Sequence, residues 1–165
     1  MAADPELSFL VCRATLRAAR PLFFPPPAAN LFRGALGMIL PAEIFRPTAA
    51  SGPSGLRDRP RPFVLRCASL DGRRLSPGEP FEIGLHVFAP DPAPFRDALA
   101  RLPFATLEDW SQRPLVLSLA PPARHVSAIR VEFLTPTELK PPVPRGELPP
   151  FPLLAARLRD RLSAL

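Results

Sequence analysis

Proline sets the limits within which this chain can fold. It contributes 26 of the 165 residues, and each one fixes its own φ and lacks the backbone N–H that a helix interior or a central strand would use. Regular structure is confined to the windows between prolines, and the pattern inside each window decides between helix and strand.

Leu7 to Leu16 (LSFLVCRATL) is apolar, carries Val and Thr and holds neither Gly nor Pro, which predicts a first strand. Pro21 and Pro25 to Pro27 bar a helix from the connector that follows. Asn30 offers an N-cap to a helix over Leu31 to Leu40, with Phe32, Leu36 and Ile39 on one face and Pro41 as its stop. Ala49 to Pro60 has loop composition. Phe63 to Leu70 and Phe81 to Phe88 predict an antiparallel hairpin with a long connection, turning at Asp71-Gly72 and Pro77-Gly78. Asp91 as N-cap and Pro92 at the first helical position open a second helix, whose Phe95, Leu99 and Leu102 fall at i, i+4 and i+7 before Pro103 closes it. A loop containing Trp110 is expected next. Pro114 to Leu119 then predicts a short strand, and Ile129 to Leu134 another, with Arg130 and Glu132 alternating.

The first six elements run β, α, β, β, α, β. That order predicts an α+β fold of ferredoxin-like type: an antiparallel sheet with both helices on one face and the other face left available. Ser127 to Thr135, a connector holding Pro136, Pro141, Pro142, Pro144, Pro149 and Pro150, and the amphipathic stretch Phe151 to Leu165 then look like a second cycle. Strand start and helix start are 23 residues apart the first time (Leu7, Asn30) and 24 the second (Ser127, Phe151). The expected organisation is a ferredoxin-like domain over residues 1–122 and the beginning of a second, truncated ferredoxin-like repeat over 123–165. A C-terminal hairpin and helix completing one domain is the competing arrangement. In the repeat arrangement the last helix, with its stripe of Leu154, Leu158, Leu162 and Leu165, lacks a sheet to pack on. A homodimer or a partner chain covering that helix would supply the surface.

The net charge is +6 and the pI near 11.1, which favours an anionic partner without choosing among RNA, DNA and an anionic membrane surface. Lys140 is the only lysine among 21 basic residues. The rest are arginines, whose guanidinium forks match phosphate oxygens bidentately, although the abundance of Arg, Ala, Pro and Leu together is also what a GC-rich coding sequence produces. The N-terminus (MAADPELS) has no basic n-region or apolar h-region, and no apolar run approaches membrane-spanning length, so a cytoplasmic protein without a membrane partner is expected. Cys12 and Cys67 lie far apart in apolar stretches with no CxxC or Cys/His grouping, which predicts buried reduced thiols and neither a metal site nor a cofactor.

Four stretches carry a family resemblance in their order: Leu31 to Gly37 (LFRGALG), Arg61 to Leu65 (RPFVL), Ser76 to Phe81 (SPGEPF) and Val131 to Lys140 (VEFLTPTELK). With the basic helix after them, they make the chain resemble the CRISPR-associated repeat-RNA endoribonucleases, the Cas six family of the RAMP superfamily, from Leu7 to the C-terminus. The resemblance implies tandem ferredoxin-like folds, a role in antiviral defence, and RNA as partner. It also implies metal-independent cleavage by attack of a 2′-hydroxyl on the adjacent phosphate. That chemistry needs a base, an acid and cationic donors. The family commonly places a catalytic histidine near its first helix, helped by tyrosine or lysine, whereas this chain has no histidine before His86, no tyrosine and only Lys140. No catalytic residue is assigned, and a catalytically inactive relative fits the same residues.

The expected RNA-binding residues are Arg13, Arg33, Arg66, Arg130 and Lys140. Arg13 and Arg130 sit on the first strand of each cycle and Arg66 on the hairpin, where they present guanidinium groups to RNA or form the solvated side of alternating strands. Arg33, placed in the first turn of its helix against the dipole, is explained by a phosphate ligand. Gly34 and Gly37 favour close packing on the sheet. His86 faces either the core or the open sheet, and His125 sits in a loop. Phe104 and Trp110 either stack on a base or, more simply, close the core. Two other functions compete: a structural or protein-interaction subunit that does not cleave RNA, and a small ferredoxin-like enzyme acting on a phosphorylated substrate held by Arg33 and Asn30.

Overall fold

The computed structural model describes residues 6–47, 60–120, 125–131 and 147–162. Four long strands carry the architecture: β1 (Glu6–Ala18), β3 (Phe63–Arg66), β5 (Pro80–Val87) and β6 (Ala105–Ser118), separated by the short strands β2 (Leu22–Phe23) and β4 (Arg74–Leu75). The helices are α1 (Ala29–Ile39), α2 (Ala42–Phe45), α3 (Ala93–Ala100) and α4 (Phe151–Leu162). The four long strands form one sheet in the order β3-β5-β1-β6 with every pairing antiparallel. The chain is thus an α+β protein built on a four-stranded antiparallel sheet.

Alternation along the strands divides the sheet into two faces. Cys12, Ala14, Leu16 and Ala18 on β1, Phe81, Ile83, Leu85 and Val87 on β5, and Phe63 on β3 are all buried on one of them. Phe32 and Leu36 of α1 and Phe95 and Leu99 of α3, each 0% exposed, pack over that same face. The Phe32 ring lies 6.3 Å from Phe81, and Phe95 lies 5.2 Å from Phe63. Both helices therefore cover one side of the sheet, as the pattern predicts.

The connections explain where the helices start. The long link between β3 and β5 folds back on the link between β1 and α1, where β4 pairs with β2. Its turn at Gly72, with φ of +75°, brings Asp71 round to accept a hydrogen bond from the Ala28 N–H at 2.7 Å. That bond fixes the entry to α1, whose N-cap is Ala28 and not Asn30; Asn30 lies inside the first turn, and its own N–H donates to the Pro27 carbonyl. Arg33 consequently sits one turn in, where the unfavourable dipole contribution is weaker than expected. At the second helix the N-cap is Pro92 and not Asp91, and the first helical residue is Ala93; Asp91, one residue earlier, still accepts from the Ala93 N–H at 2.9 Å.

Three expectations about strands need correction. The strand from Phe63 ends at Arg66 and gives way to a 3-10 turn over Ala68–Leu70. The last long strand begins at Ala105, nine residues before Pro114, so Trp110 lies mid-strand and not in a loop. A bulge at Glu108 is the physical reason: Leu16 pairs with Leu107 but Thr15 pairs with Asp109. Core-facing residues are odd-numbered before the bulge (Ala105, Leu107) and even-numbered after it (Trp110), which conceals the alternation. Finally, Ile129–Val131 form no strand, while the remainder of that expected strand and most of the proline-rich connector lie outside the described residues. The loop expected over Ala49 to Pro60 also lies outside them, save its last residue.

Candidate functional site

The face of the sheet away from α1 and α3 gathers side chains that are distant in sequence, because directly opposed residues of antiparallel strands share a face. One cross-strand row reads Arg66, Gly84, Arg13, Ser111, and the next reads Val64, His86, Val11, Arg113. Beyond them stand Phe9 and its partner Leu115, with the Phe9 ring centroid 5.1 Å from Phe88 and 5.2 Å from His86. Three exposed arginines thus adjoin a cluster of two phenylalanines and a histidine.

Gly84 separates Arg66 from Arg13. A Cβ at that position would stand 3.1 Å from the Cβ of Arg66 and 3.7 Å from the Cys12 carbonyl oxygen. The missing side chain leaves a bare backbone floor between two guanidinium groups whose parent strands are about 10 Å apart, twice the strand spacing.

Charge is graded along this face. Arg13, Arg66 and Arg113 make no ion pair among the described residues, whereas Arg17 is tied to Glu108 through two hydrogen bonds and also donates to the Gly78 carbonyl. Glu82 and Asp109, opposed to Thr15 from either side, make the Arg17 end acidic. The uncompensated positive charge lies toward the aromatic end. Burial holds the His86 imidazole below the usual histidine range, and the Arg66 guanidinium pushes it the same way. His86 is therefore neutral at physiological pH, able to accept or donate one hydrogen bond from its ring.

Little else in the described residues offers reactive chemistry. Cys12 and Cys67 are free and buried, burial raises both thiols, and Cys67 is pushed up to about 11 by burial first and Asp71 second, so neither is a nucleophile at neutral pH. Among the described residues no group of three or more His, Cys, Asp or Glu side chains comes together. A shallow hollow lined by Thr15, Ser69, Arg73 and Glu82 opens at the acidic end, but Arg73 already pairs with Glu79 at 3.5 Å. The arrangement is equipped to hold a polyanion.

Of the residues expected from sequence, Arg13 and Arg66 are brought together across Gly84. Arg33 is exposed on α1, which packs on the opposite face of the sheet. Arg130 is exposed in a stretch without regular structure, as is His125, and Lys140 lies outside the described residues. Phe104 is buried in the core and Trp110 packs against it. Sequence reasoning missed Arg113, Phe9 and Phe88. The parity of β1 would have revealed Phe9, which shares its face with Arg13, but Arg113 was hidden by the misplaced start of β6. Gly37 does serve close packing, against Phe45 of α2 and not the sheet, while Gly34 has open space beside it.

No helix among the described residues is long and apolar enough to cross a membrane. No family model matches the chain, and no curated protein or solved structure does either.

Proposed function

We propose that this chain is an RNA-binding protein that lays a single strand across the open face of its sheet. The observation that carries the reading is the juxtaposition of Arg13 and Arg66 around the bare Gly84 floor, beside Arg113, Phe9, Phe88 and His86. Bases of a single strand stack on aromatic rings while guanidinium groups take the phosphates, and an antiparallel sheet flanked by helices on its other side is a recurrent platform for that. The strand order β3-β5-β1-β6, with its all-antiparallel pairings, supports a ferredoxin-like topology for that platform. This reading agrees with the resemblance to the repeat-RNA endoribonucleases and places the chain as an RNA-holding relative of them, with cleavage left unassigned.

The test is a filter-binding titration of the full chain with single-stranded RNA of CRISPR-repeat sequence, with single-stranded DNA and duplex RNA alongside. The expected result is preferential binding of single-stranded RNA, weakening as salt rises, with the slope of log affinity against log salt reduced by about one for each of Arg13→Ala, Arg66→Ala and Arg113→Ala. Binding that is absent, or that survives all three substitutions unchanged, would sink the proposal.

A second reading, a subunit docked to another protein chain, is favoured by one observation. The end of the β1–β6 ladder carries exposed apolar side chains on both faces, Val116 at 52% on one and Leu117 at 43% on the other. A monodisperse monomer by light scattering would count against self-association through that end.

A further inference from the structure

A second group of arginines lies on the helical side, organised around one phenylalanine. Phe45 ends α2 and is only 7% exposed. Its ring edge lies where α1 lacks a side chain, since a Cβ on Gly37 would come within 2.7 Å of it. Arg61 stacks on the same ring with its Cζ 4.6 Å from the centroid, and its Nε donates to the Phe45 carbonyl at 2.9 Å. Arg33 stands four residues before Gly37 and so on the same face of α1, one turn away. Arg46 directly follows Phe45. One guanidinium group, that of Arg61, thus lies on the ring, and Arg33 on α1 and Arg46 just past the end of α2 are near enough for their charge to act on it.

Among the described residues no carboxylate pairs with any of the three. Glu43, three residues before Arg46 on α2, is exposed and not bonded to it, and Asp71 is committed to the Ala28 N–H. Arg61 also registers its neighbours: its proton affinity is lowered by burial first and by Arg33 and Arg46 after that. Like charges held together by packing, with the central one anchored on an aromatic ring and a carbonyl, form a preorganised donor set for a multiply charged oxyanion.

We propose that Arg33, Arg46 and Arg61 form a binding site for a phosphate monoester or pyrophosphate group. Arg61 is held rigid by Phe45, while Arg33 and Arg46 are free to close on the ligand from the two sides. The phosphoryl group comes either from the 5′ end of an RNA strand or from a free phosphate compound. This site is on the other side of the molecule from the open sheet face and does not depend on that face binding RNA.

The experiment titrates the full chain with inorganic pyrophosphate at constant ionic strength, reading heat of binding and the rise in unfolding temperature, and repeats this with Arg33→Gln and Arg46→Gln. Both are exposed positions, so the variants should fold, and each is expected to weaken pyrophosphate binding about tenfold or more. Arg61→Lys, which keeps the charge but not the fork, should weaken it too. Arg20→Gln, an exposed arginine just after β1 that belongs to neither arginine group, serves as the control and should leave it unchanged. In a parallel arm, a short RNA with a 5′-phosphate is compared with the same RNA ending in a 5′-hydroxyl. Tighter binding of the phosphorylated strand, lost in Arg33→Gln, identifies an RNA end as the source. Equal binding of the two strands, with pyrophosphate still bound, identifies a free phosphate compound. Failure of pyrophosphate to bind, or equal binding by the wild type and both glutamine variants, would overturn the site. The proposal for the sheet face would be untouched by that failure, since its own readout is the loss of RNA affinity in Arg13→Ala and Arg66→Ala.

Discussion

Along β1, Cys12, Ala14 and Leu16 are buried beneath the helices while Arg13 and Arg17, one residue out of step with them, stand exposed on the opposite face. The two faces of this sheet share every backbone hydrogen bond and differ only in what their side chains meet. The covered face meets α1 and α3 and is built of Phe, Leu, Ile and Val that exclude water, so its contribution is to stability. The open face carries Arg13, Arg66 and Arg113, which make no ion pair among the described residues, a glycine, and an aromatic cluster in which Phe9 is 9% exposed, and the proposed function assigns its contribution to binding. The difference teaches that substitutions on alternate residues of one strand should separate into two phenotypes.

The largest effect belongs to the covered face. Phe32 is 0% exposed and its ring lies 5.8 Å from Phe24, 6.3 Å from Phe81 and 6.0 Å from Phe104. Phe32→Ala should destabilise the chain by about 3–5 kcal/mol, measured by urea unfolding, while the folded fraction keeps its RNA affinity. Equal losses of stability and of affinity per folded molecule would erase the distinction between the faces. Next in size, Arg13→Ala and Arg66→Ala should each reduce RNA affinity about tenfold while changing stability by no more than about 0.5 kcal/mol. If either residue instead unfolds the protein, the arginines are structural and the open face is not a binding surface.

How much of this was legible in the sequence follows from which residues set it. Proline spacing and apolar periodicity located α1, α3, the hairpin of β3 and β5, and the helix after Pro150, because each is a local pattern bounded by local stops. The features that failed are non-local. Asp71 caps α1 from 43 residues away, the pairing of β2 with β4 exists only because two connections meet, and the bulge at Glu108 reverses the alternation of β6 partway along. The candidate site was half visible for the same reason. Arg13 and Arg66 sit on strands whose pattern is regular, but their separation by Gly84 depends on register, and Arg113 belongs to the half of β6 whose start was misread. The trio around Phe45 draws on three segments, and only Arg33 among them carried a local signal.

A smaller effect tests the floor between the arginines. Gly84→Val places a branched side chain where a bare Cβ already stands 3.1 Å from the Cβ of Arg66. The strand tolerates valine on propensity grounds, so stability should change by about 1 kcal/mol or less, with Arg66 giving by a few tenths of an ångström. RNA affinity should fall several-fold because the gap is filled. Gly84→Val with undiminished RNA binding would show that the strand does not run between Arg13 and Arg66, and would move the contact toward Phe9 and Phe88.

The smallest effect is a pH dependence that only the open face should show. His86 has its imidazole held below the ordinary histidine value of 6.5, first by burial and then by Arg66. Above about pH 6.5 the ring is neutral in both the folded and the unfolded chain and stability does not depend on it. As pH falls below that value the unfolded chain takes up the proton first. Stability therefore declines through the lower folded value and levels off beneath it. The denaturation midpoint in urea should fall modestly across that window in the wild type and flatten in His86→Gln. Arg66→Ala should move the decline to lower amplitude by removing one of the two causes, with the imidazole titration followed by NMR rising toward the ordinary value. An imidazole that titrates at the ordinary value in the wild type would mean that His86 is fully solvated. The aromatic cluster with Phe9 would then be open to water, and the open face would lose the desolvated edge on which stacking of a base depends.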